Sequence, residues 1–160
     1  MAVDMFLKIE GVDSESVDSS HSGEIDVLAW SWGMSQSGTT HAGPGAGAGK
    51  VNVQDISVTK WVDKASPTLQ LYCCNGKHIP SAVLTVRKAG ETPLEYIIIT
   101  MTDVLVSAVS TGGSGGEDRL TENLTLNFAK VEFAYTPQKT DGSGDTAVKY
   151  TWDIAKNVKA

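Results

Sequence analysis

Gly49-Lys50 closes a glycine-rich run and is the first place in this 160-residue chain where residue types and spacing could do chemistry. A phosphate-binding loop needs a glycine five residues before that glycine and a hydroxyl after the lysine, because backbone N–H groups and a metal-bound hydroxyl carry the phosphates. Pro44 and Val51 stand at those positions, so both parts are missing. Asp141-x-Ser143-x-Asp145 resembles the opening of a calcium loop, but Thr146 replaces the turn glycine and Trp152 the bidentate glutamate. His21, His41 and His78 lie far apart, and no G-x-S-x-G elbow supports a nucleophile–histidine–carboxylate triad. Cys73 and Cys74 are adjacent, which is poor disulfide geometry. Two thiolates without a second pair make no zinc site, so these read as small buried side chains. Glu24 and Asp26 share one face of a strand, where paired carboxylates either do acid–base chemistry or block unwanted strand pairing; the second reading fits this chain better. Asn123-Leu124-Thr125 matches a glycosylation acceptor but falls inside a strand pattern. We therefore expect no catalytic residue, no metal and no cofactor, and read the chain as a non-enzyme.

Charge narrows the partners. The formal net charge is -6, from 13 Lys+Arg and 19 Asp+Glu, and no basic cluster offsets it, which argues against nucleic acid. Asp4, Lys8 and Glu10 interrupt the N-terminal apolar residues, so no signal peptide is expected and the protein should begin in the cytoplasm. No apolar run is long enough to cross a bilayer, so no membrane insertion is expected. With 41% hydrophobic and 20% charged residues, the composition is that of an ordinary globular chain, read as one domain over 1–160.

The elements that would position any site are mostly strands. Two-residue alternation of β-branched and aromatic residues marks Met5–Glu10, Glu24–Met34, Asn52–Trp61, Ala82–Lys88, Leu94–Thr102, Val104–Ser110, Thr121–Tyr135 and Val148–Ile154. The apolar phase switches near Ala129–Val131, which predicts a bulge or a bend. One helix is expected at about 66–75, with Ser66 as N-cap, Pro67 in the first turn, Leu69, Tyr72 and Cys73 on one face, and Asn75-Gly76 at its end. Ser35–Lys50 reads as a long protruding loop, Gly112–Gly116 as a flexible turn and Thr140–Thr146 as a hairpin connection. The fold class is thus mostly β: a compact β-barrel of two packed sheets with one flanking α-helix. Leu94–Met101 is apolar on both faces, so that strand needs a second partner, either the helix or another subunit.

These residues resemble one family along the whole chain. The carriers are Asp4-x-Phe6-Leu7-Lys8-Ile9-x-Gly11-Val12, His21-x-Gly23-Glu24-Ile25-Asp26-Val27-Leu28-Ala29-Trp30-Ser31-Trp32-Gly33, and Thr59-Lys60-x-x-Asp63-x-Ala65-Ser66. Further on come Thr102-Asp103-Val104-x-Val106-Ser107, Glu122-Asn123-Leu124-Thr125-Leu126-x-Phe128-x-Lys130-Val131, Tyr135-Thr136-Pro137-Gln138 and Trp152-Asp153-Ile154. Their ordered set resembles the haemolysin-coregulated family of the bacterial type VI secretion system. Ser14 departs from it, standing where a turn glycine is expected. The resemblance implies a β-barrel subunit of hexameric rings that stack head-to-tail into an inner tube. It implies partnership with a spike protein, a contractile sheath and effector proteins carried in the lumen, and secretion through that apparatus. A phage-type tail-tube subunit is the related alternative; a monomeric β-sandwich ligand-binding module is the unrelated one.

On that reading two groups of residues become candidate sites. Leu28, Trp30, Trp32 and Met34 share one strand face and should point into the barrel core, leaving Ala29, Ser31 and Gly33 to line the lumen. Alternatively those small residues pack under the helix or against a neighbouring subunit. Thr39, Thr40, His41, Gly43, Pro44, Gly45, Gly47, Gly49 and Lys50 are the candidates for contact with a neighbouring subunit or the next ring.

Overall fold

The computed structural model describes residues 3–38 and 49–160. The strands are β1 (Val3–Ile9), β2 (Ile25–Ser31), β3 (Met34–Ser35), β4 (Asn52–Val53), β5 (Ile56–Trp61), β6 (Ile79–Lys88), β7 (Leu94–Thr111), β8 (Thr121–Tyr135), β9 (Val148–Asp153) and β10 (Val158–Lys159). The helix α1 spans Ser66–Asn75 between β5 and β6. Six strands close a barrel in the order β8-β5-β2-β1-β6-β7 and back to β8, every pairing antiparallel. Strands β9 and β10 continue outward from β8, and β3 pairs β4 in a separate ribbon.

β8 makes closure possible because it is long enough to serve two neighbours on one edge. Its first half pairs β5 from Trp61↔Thr121 to Ile56↔Leu126, and its second half pairs β9 from Lys130↔Asp153 to Tyr135↔Val148. Its other edge pairs β7 over almost its whole length. Inward side chains such as Leu7, Ile25, Ile56, Leu84, Ile99, Met101, Leu124 and Leu126 fill the interior at 0–1% exposure. Burying side chains of this size contributes about 1.5–3 kcal/mol each.

The expected phase switch is a bend without an inserted residue. In β8 the buried positions run Glu122, Leu124, Leu126, Phe128 and then Val131. β7 switches with it, from Ile99 and Met101 to Val104 and Val106. Register stays continuous from Thr102↔Lys130 to Val104↔Phe128, and between them Asp103 adopts φ 56. A left-handed residue breaks the pleat, and aspartate tolerates it better than most. The two strands read as Leu94–Thr102 and Val104–Ser110 are therefore one strand bent at Asp103.

The Glu24–Met34 run corrects the expectation that Leu28, Trp30, Trp32 and Met34 share the core face. Ile25 and Val27 are buried, and the register then shifts between Val27↔Lys60 and Ala29↔Thr59. Leu28 is the extra residue of this bulge and is 38% exposed. A bulge flips every later side chain, so Trp30 faces in beside Val58 and packs with Trp32 against the core. Met34 lies beyond the end of β2, in β3, and is 47% exposed.

α1 forms where its punctuation places it, one residue out of phase at the start. Ala65 is the capping residue, without a side-chain cap bond, and Pro67 sits in the first turn. The Ser66 hydroxyl instead accepts the Asp63 N–H at 3.0 Å. Gly76 ends the helix at φ 63, its N–H donating to the Tyr72 carbonyl. Leu69 is fully buried and α1 packs on β7, where Gln70 Nε2 donates to Thr111 Oγ1, at the opposite end of the strand from the two-faced Leu94–Met101 segment. The cysteines do not form a buried pair: Cys73 is half-buried and Cys74 exposed. Successive helical side chains point about 100° apart, so one narrow apolar stripe cannot hold both.

Candidate functional site

Where β2 leaves β1, the barrel presents a four-stranded wall of β2, β5, β8 and β7. Its outward side chains line up in two rungs. Ser31, Ser57, Thr125 and Ala108 form one; Ala29, Thr59, Asn123 and Ser110 form the other. Thr59 and Thr125 are half-buried and the remaining six are exposed. None carries a charge, and none is larger than asparagine. Thr59 Oγ1 donates to Asn123 Oδ1 at 2.9 Å across β5 and β8.

Both edges of this wall are open among the described residues. β1 pairs β2 only at Asp26 and Ile25, leaving Leu28–Ser31 free on that side. β6 pairs β7 only as far as Val104, leaving Leu105–Thr111 free. Each free stretch carries a bulge, Leu28 in β2 and Ser107 in β7. Ser107 Oγ bonds Asp55 Oδ2 at 2.8 Å, and Asn127 Nδ2 donates to Asp55 Oδ1 at 2.8 Å, which ties the bulge to the segment before β5. Bulged edges reject unselective strand addition and admit a neighbour of matching twist.

A buried ionic cluster holds one end of the wall. Lys60 of β5 points inward opposite Glu122 of β8, and both side chains have 0% exposure. The ammonium bonds Glu122 Oε1, lies 2.9 Å from Asp63 Oδ1 and donates to the Trp61 carbonyl at 2.9 Å. Glu122 also accepts from Ser66 Oγ and from Thr111 Oγ1 of β7. Ser14, the departure in the β1–β2 loop, is buried and donates to Asp63 Oδ2 at 2.7 Å, so serine serves that turn.

Toward the other end lies an apolar cavity of about 180 Å³ lined by Trp32, Met34, Val51, Val53, Val131, Tyr150 and Trp152. Trp32 stacks on Phe133, and Phe133 on Tyr150. Among the described residues no group of three or more His, Cys, Asp or Glu side chains could hold a metal ion. Nor is any helix there long and apolar enough to cross a membrane.

Of the sequence candidates, Ala29 and Ser31 are exposed on the wall. Gly33 lies just past β2, half-buried against the Gln54 side chain, where a Cβ would come within 3.3 Å of Oε1. Thr39, Thr40, His41, Gly43, Pro44, Gly45 and Gly47 lie outside the described residues. Gly49 packs on Ser37, and Lys50 is exposed. The wall residues Ser57, Thr59, Ala108, Ser110, Asn123 and Thr125 were not among the candidates. Small uncharged residues at alternate positions of three further strands were the available signal.

The fold and the wall define a class first: a small closed β-barrel with a flanking helix and outboard strands. The family model described as type VI secretion system effector, Hcp, matches residues 6–135. Protein hcp1 of Pseudomonas aeruginosa is 65% identical, over all of both chains. Among solved structures, Hcp1 from Salmonella typhimurium superposes with a TM-score of 0.82 at 42% identity, each chain covered in full. A type six secretion system protein superposes with a TM-score of 0.93 at 30% identity, over 99% of this chain and all of that one. The type VI secretion system effector from Yersinia pestis gives 0.78 at 36%, over 94% of this chain and 100% of that chain. This chain belongs to the Hcp family of the type VI secretion system.

Proposed function

We propose that the chain is a structural, non-enzymatic subunit of the secretion tube. Six copies close a ring, rings stack head-to-tail, and the lumen carries effector proteins outward. The observation that carries this reading is the uncharged wall with an open strand at each edge. Because neighbours in the order β2-β5-β8-β7 are all antiparallel, β2 and β7 run in opposite directions. The β7 edge of one copy can therefore accept the β2 edge of the next in the same antiparallel alternation, and cyclic repetition leaves no free edge. The number six comes from the family.

Closure of this kind turns the outer face of the wall toward the ring axis, so Ala29, Ser31 and the other rung residues would line the lumen. A channel that passes unlike folded proteins is served by short, neutral side chains, which neither hold one cargo by charge nor narrow the bore. The 35–50 loop, with Gly43–Gly49, would reach a neighbouring subunit or the next ring. The spike and sheath would engage the assembled tube, and export would follow through the apparatus itself.

Native mass spectrometry tests the assembly: rings support the proposal, whereas monomer alone at micromolar concentration refutes it in favour of a free-standing module. Ser31→Gln tests the lumen. Rings should persist while retention of co-expressed effector falls; unchanged retention would place Ser31 elsewhere. Deleting Gly43–Gly49 should leave the barrel folded and impair tube formation, and normal tubes in that variant would remove the loop from the assembly.

A further inference from the structure

The long loop between β1 and β2 is fastened to the barrel by a small second core. Phe6 of β1 lies opposite Thr85 of β6, on the face away from the interior pair Leu7 and Leu84. Both are 4% exposed although they point outward. What covers Phe6 is His21 from the loop, stacked with ring centroids 4.4 Å apart and planes 10° from parallel. The Arg87 guanidinium of β6 sits 5.0 Å from the same ring centre. Asp18 of the loop grips Arg87 through two bonds of 2.7 and 3.0 Å, and Asp4 of β1 adds one of 3.1 Å.

His21 is itself 8% exposed, and each ring nitrogen meets a carboxylate. Nδ1 is 2.9 Å from Glu24 at the loop's end, and Nε2 is 2.6 Å from Glu95 of β7. A neutral imidazole has one N–H and one lone pair, so it can donate to only one of them and sets a lone pair against the other. The imidazolium donates to both. Burial alone would disfavour the charged ring, but the bonds from Glu95 and Glu24 outweigh it and raise the pKa above the ordinary value of 6.5. The charged groups facing this site are Asp18 and Glu24 from the loop, Asp4 from β1, Arg87 from β6 and Glu95 from β7.

We propose that the β1–β2 loop is a pH-sensitive strap, closed over Phe6 while His21 bridges Glu24 and Glu95, and loosened when His21 gives up its proton. The strap moves as a unit, because Ser14, Ser16, Gly23 and Glu24 are joined by backbone bonds of 2.7–3.0 Å. Its release is felt at the start of α1, since Ser14 bonds Asp63 and the Glu15 carboxylate accepts the Lys64 N–H at 2.8 Å. A raised folded-state pKa gives stabilisation that is complete below about pH 6.5 and disappears as pH rises through the folded value. The strap is therefore tight in mild acid and loose in mild alkali.

Hydrogen–deuterium exchange of the full chain at pH 6 and pH 9, corrected for intrinsic rates, tests this directly. Protection across residues 12–24 should fall on the alkaline side by the factor separating the folded and unfolded proton affinities of His21, about tenfold per pKa unit. Protection in β5 and β8 should hold. His21→Gln should show weak loop protection at both pH values, and His78→Asn should behave as the parent. In the unmodified chain the His21 ring resonance should titrate above 6.5, a readout that does not depend on any variant folding. Equal loop protection at the two pH values, a His21→Gln variant that keeps the drop, or a ring that titrates at or below 6.5 would each overturn the strap.

Discussion

Removing Glu122 should expose how the wall is anchored. The Lys60 ammonium and the Glu122 carboxylate are both wholly buried, and among the described residues the other carboxylate on Lys60 is Asp63, 2.9 Å away and 7% exposed. Deleting one partner of a buried pair typically costs about 3–5 kcal/mol, because the remaining charge is left uncompensated. Glu122→Leu leaves Asp63 in place, so its cost should fall at the low end, about 3 kcal/mol. Lys60→Met should cost at least as much, since it leaves Glu122 and Asp63 as buried like charges beside one another. The double variant Lys60→Met/Glu122→Leu removes both ions of the pair, an exchange that is often close to neutral, and leaves Asp63 without its cation but still bonded by Ser14 Oγ and the Ala65 N–H. Its cost should therefore lie well below the sum of the singles, a coupling of about 2 kcal/mol or more. For a chain of this size each kcal/mol lowers Tm by about 2–4 °C, so each single variant should melt about 6–12 °C lower. Calorimetry at one fixed subunit concentration reads this, because association would otherwise shift every midpoint. Additive singles, or a Glu122→Leu variant melting within about 2 °C of the parent, would show that the cluster is not the anchor. In the expected case Glu122→Leu should also weaken ring formation, since Thr111 at the end of the open β7 edge bonds the same carboxylate.

Three further outcomes follow from other parts of the molecule. Asp18 has its pKa lowered to about 2, chiefly by its bonds to Arg87. That contribution is present above about pH 4 and is lost as pH falls through 2, so an acid melting series should show a step there that Asp18→Asn removes. Leu69→Ala should lower stability by about 2–5 kcal/mol, because this fully buried side chain is the anchor of α1 on the barrel; a smaller loss by denaturant titration would mean the helix is held elsewhere. If six copies form the proposed ring, -6 per chain gives it 6 × (-6) = -36, and a Debye length of about 10 Å at 0.1 M salt would screen ring from ring; light scattering should then rise with added salt, and a fall would contradict electrostatic control of stacking.

Those features set by neighbouring residues could be read from the chain alone. Pro67 and Gly76 mark the ends of α1 because each acts on its own backbone. The apolar phase in β8 betrays the bend because burial follows the pleat residue by residue. The strand pattern breaks at Asp103, but aspartate tolerates a left-handed conformation without requiring it, so a bend within one strand could not be told from a gap between two. The bulge at Leu28 was hidden for a related reason. Apolar residues occupy both Ile25 and Val27 on one phase and Leu28, Trp30 and Trp32 on the other, so either phase could be taken for the core face. Only the pairing of Val27 with Lys60 and Ala29 with Thr59 decides between them. The inward lysine could not be assigned either until Glu122 was seen opposite it, since a lysine on β5 otherwise reads as solvated.

The wall shows why a surface drawn from several strands is harder to read than a fold. Ser31, Ser57, Thr125 and Ala108 come from four strands and mean little apart, because serine and threonine are ordinary on any exposed strand. Their joint character appears once register places them in one rung, and register is set by the buried faces on the other side of the same strands. Ile56 opposite Leu126 and Val58 opposite Leu124 fix the pairing of β5 with β8. A slip of one residue would bury Ser57 and expose Ile56, at a cost the core cannot bear. The apolar interior thus determines where the neutral outer residues fall, while the β1–β2 and β6–β7 pairings stop at Asp26 and Val104, before the bulges at Leu28 and Ser107, and leave two edges of opposite direction. Substitutions in the core of β5 or β8 should for this reason disturb ring closure before they unfold the chain, whereas single changes between small neutral residues on the wall should leave assembly intact.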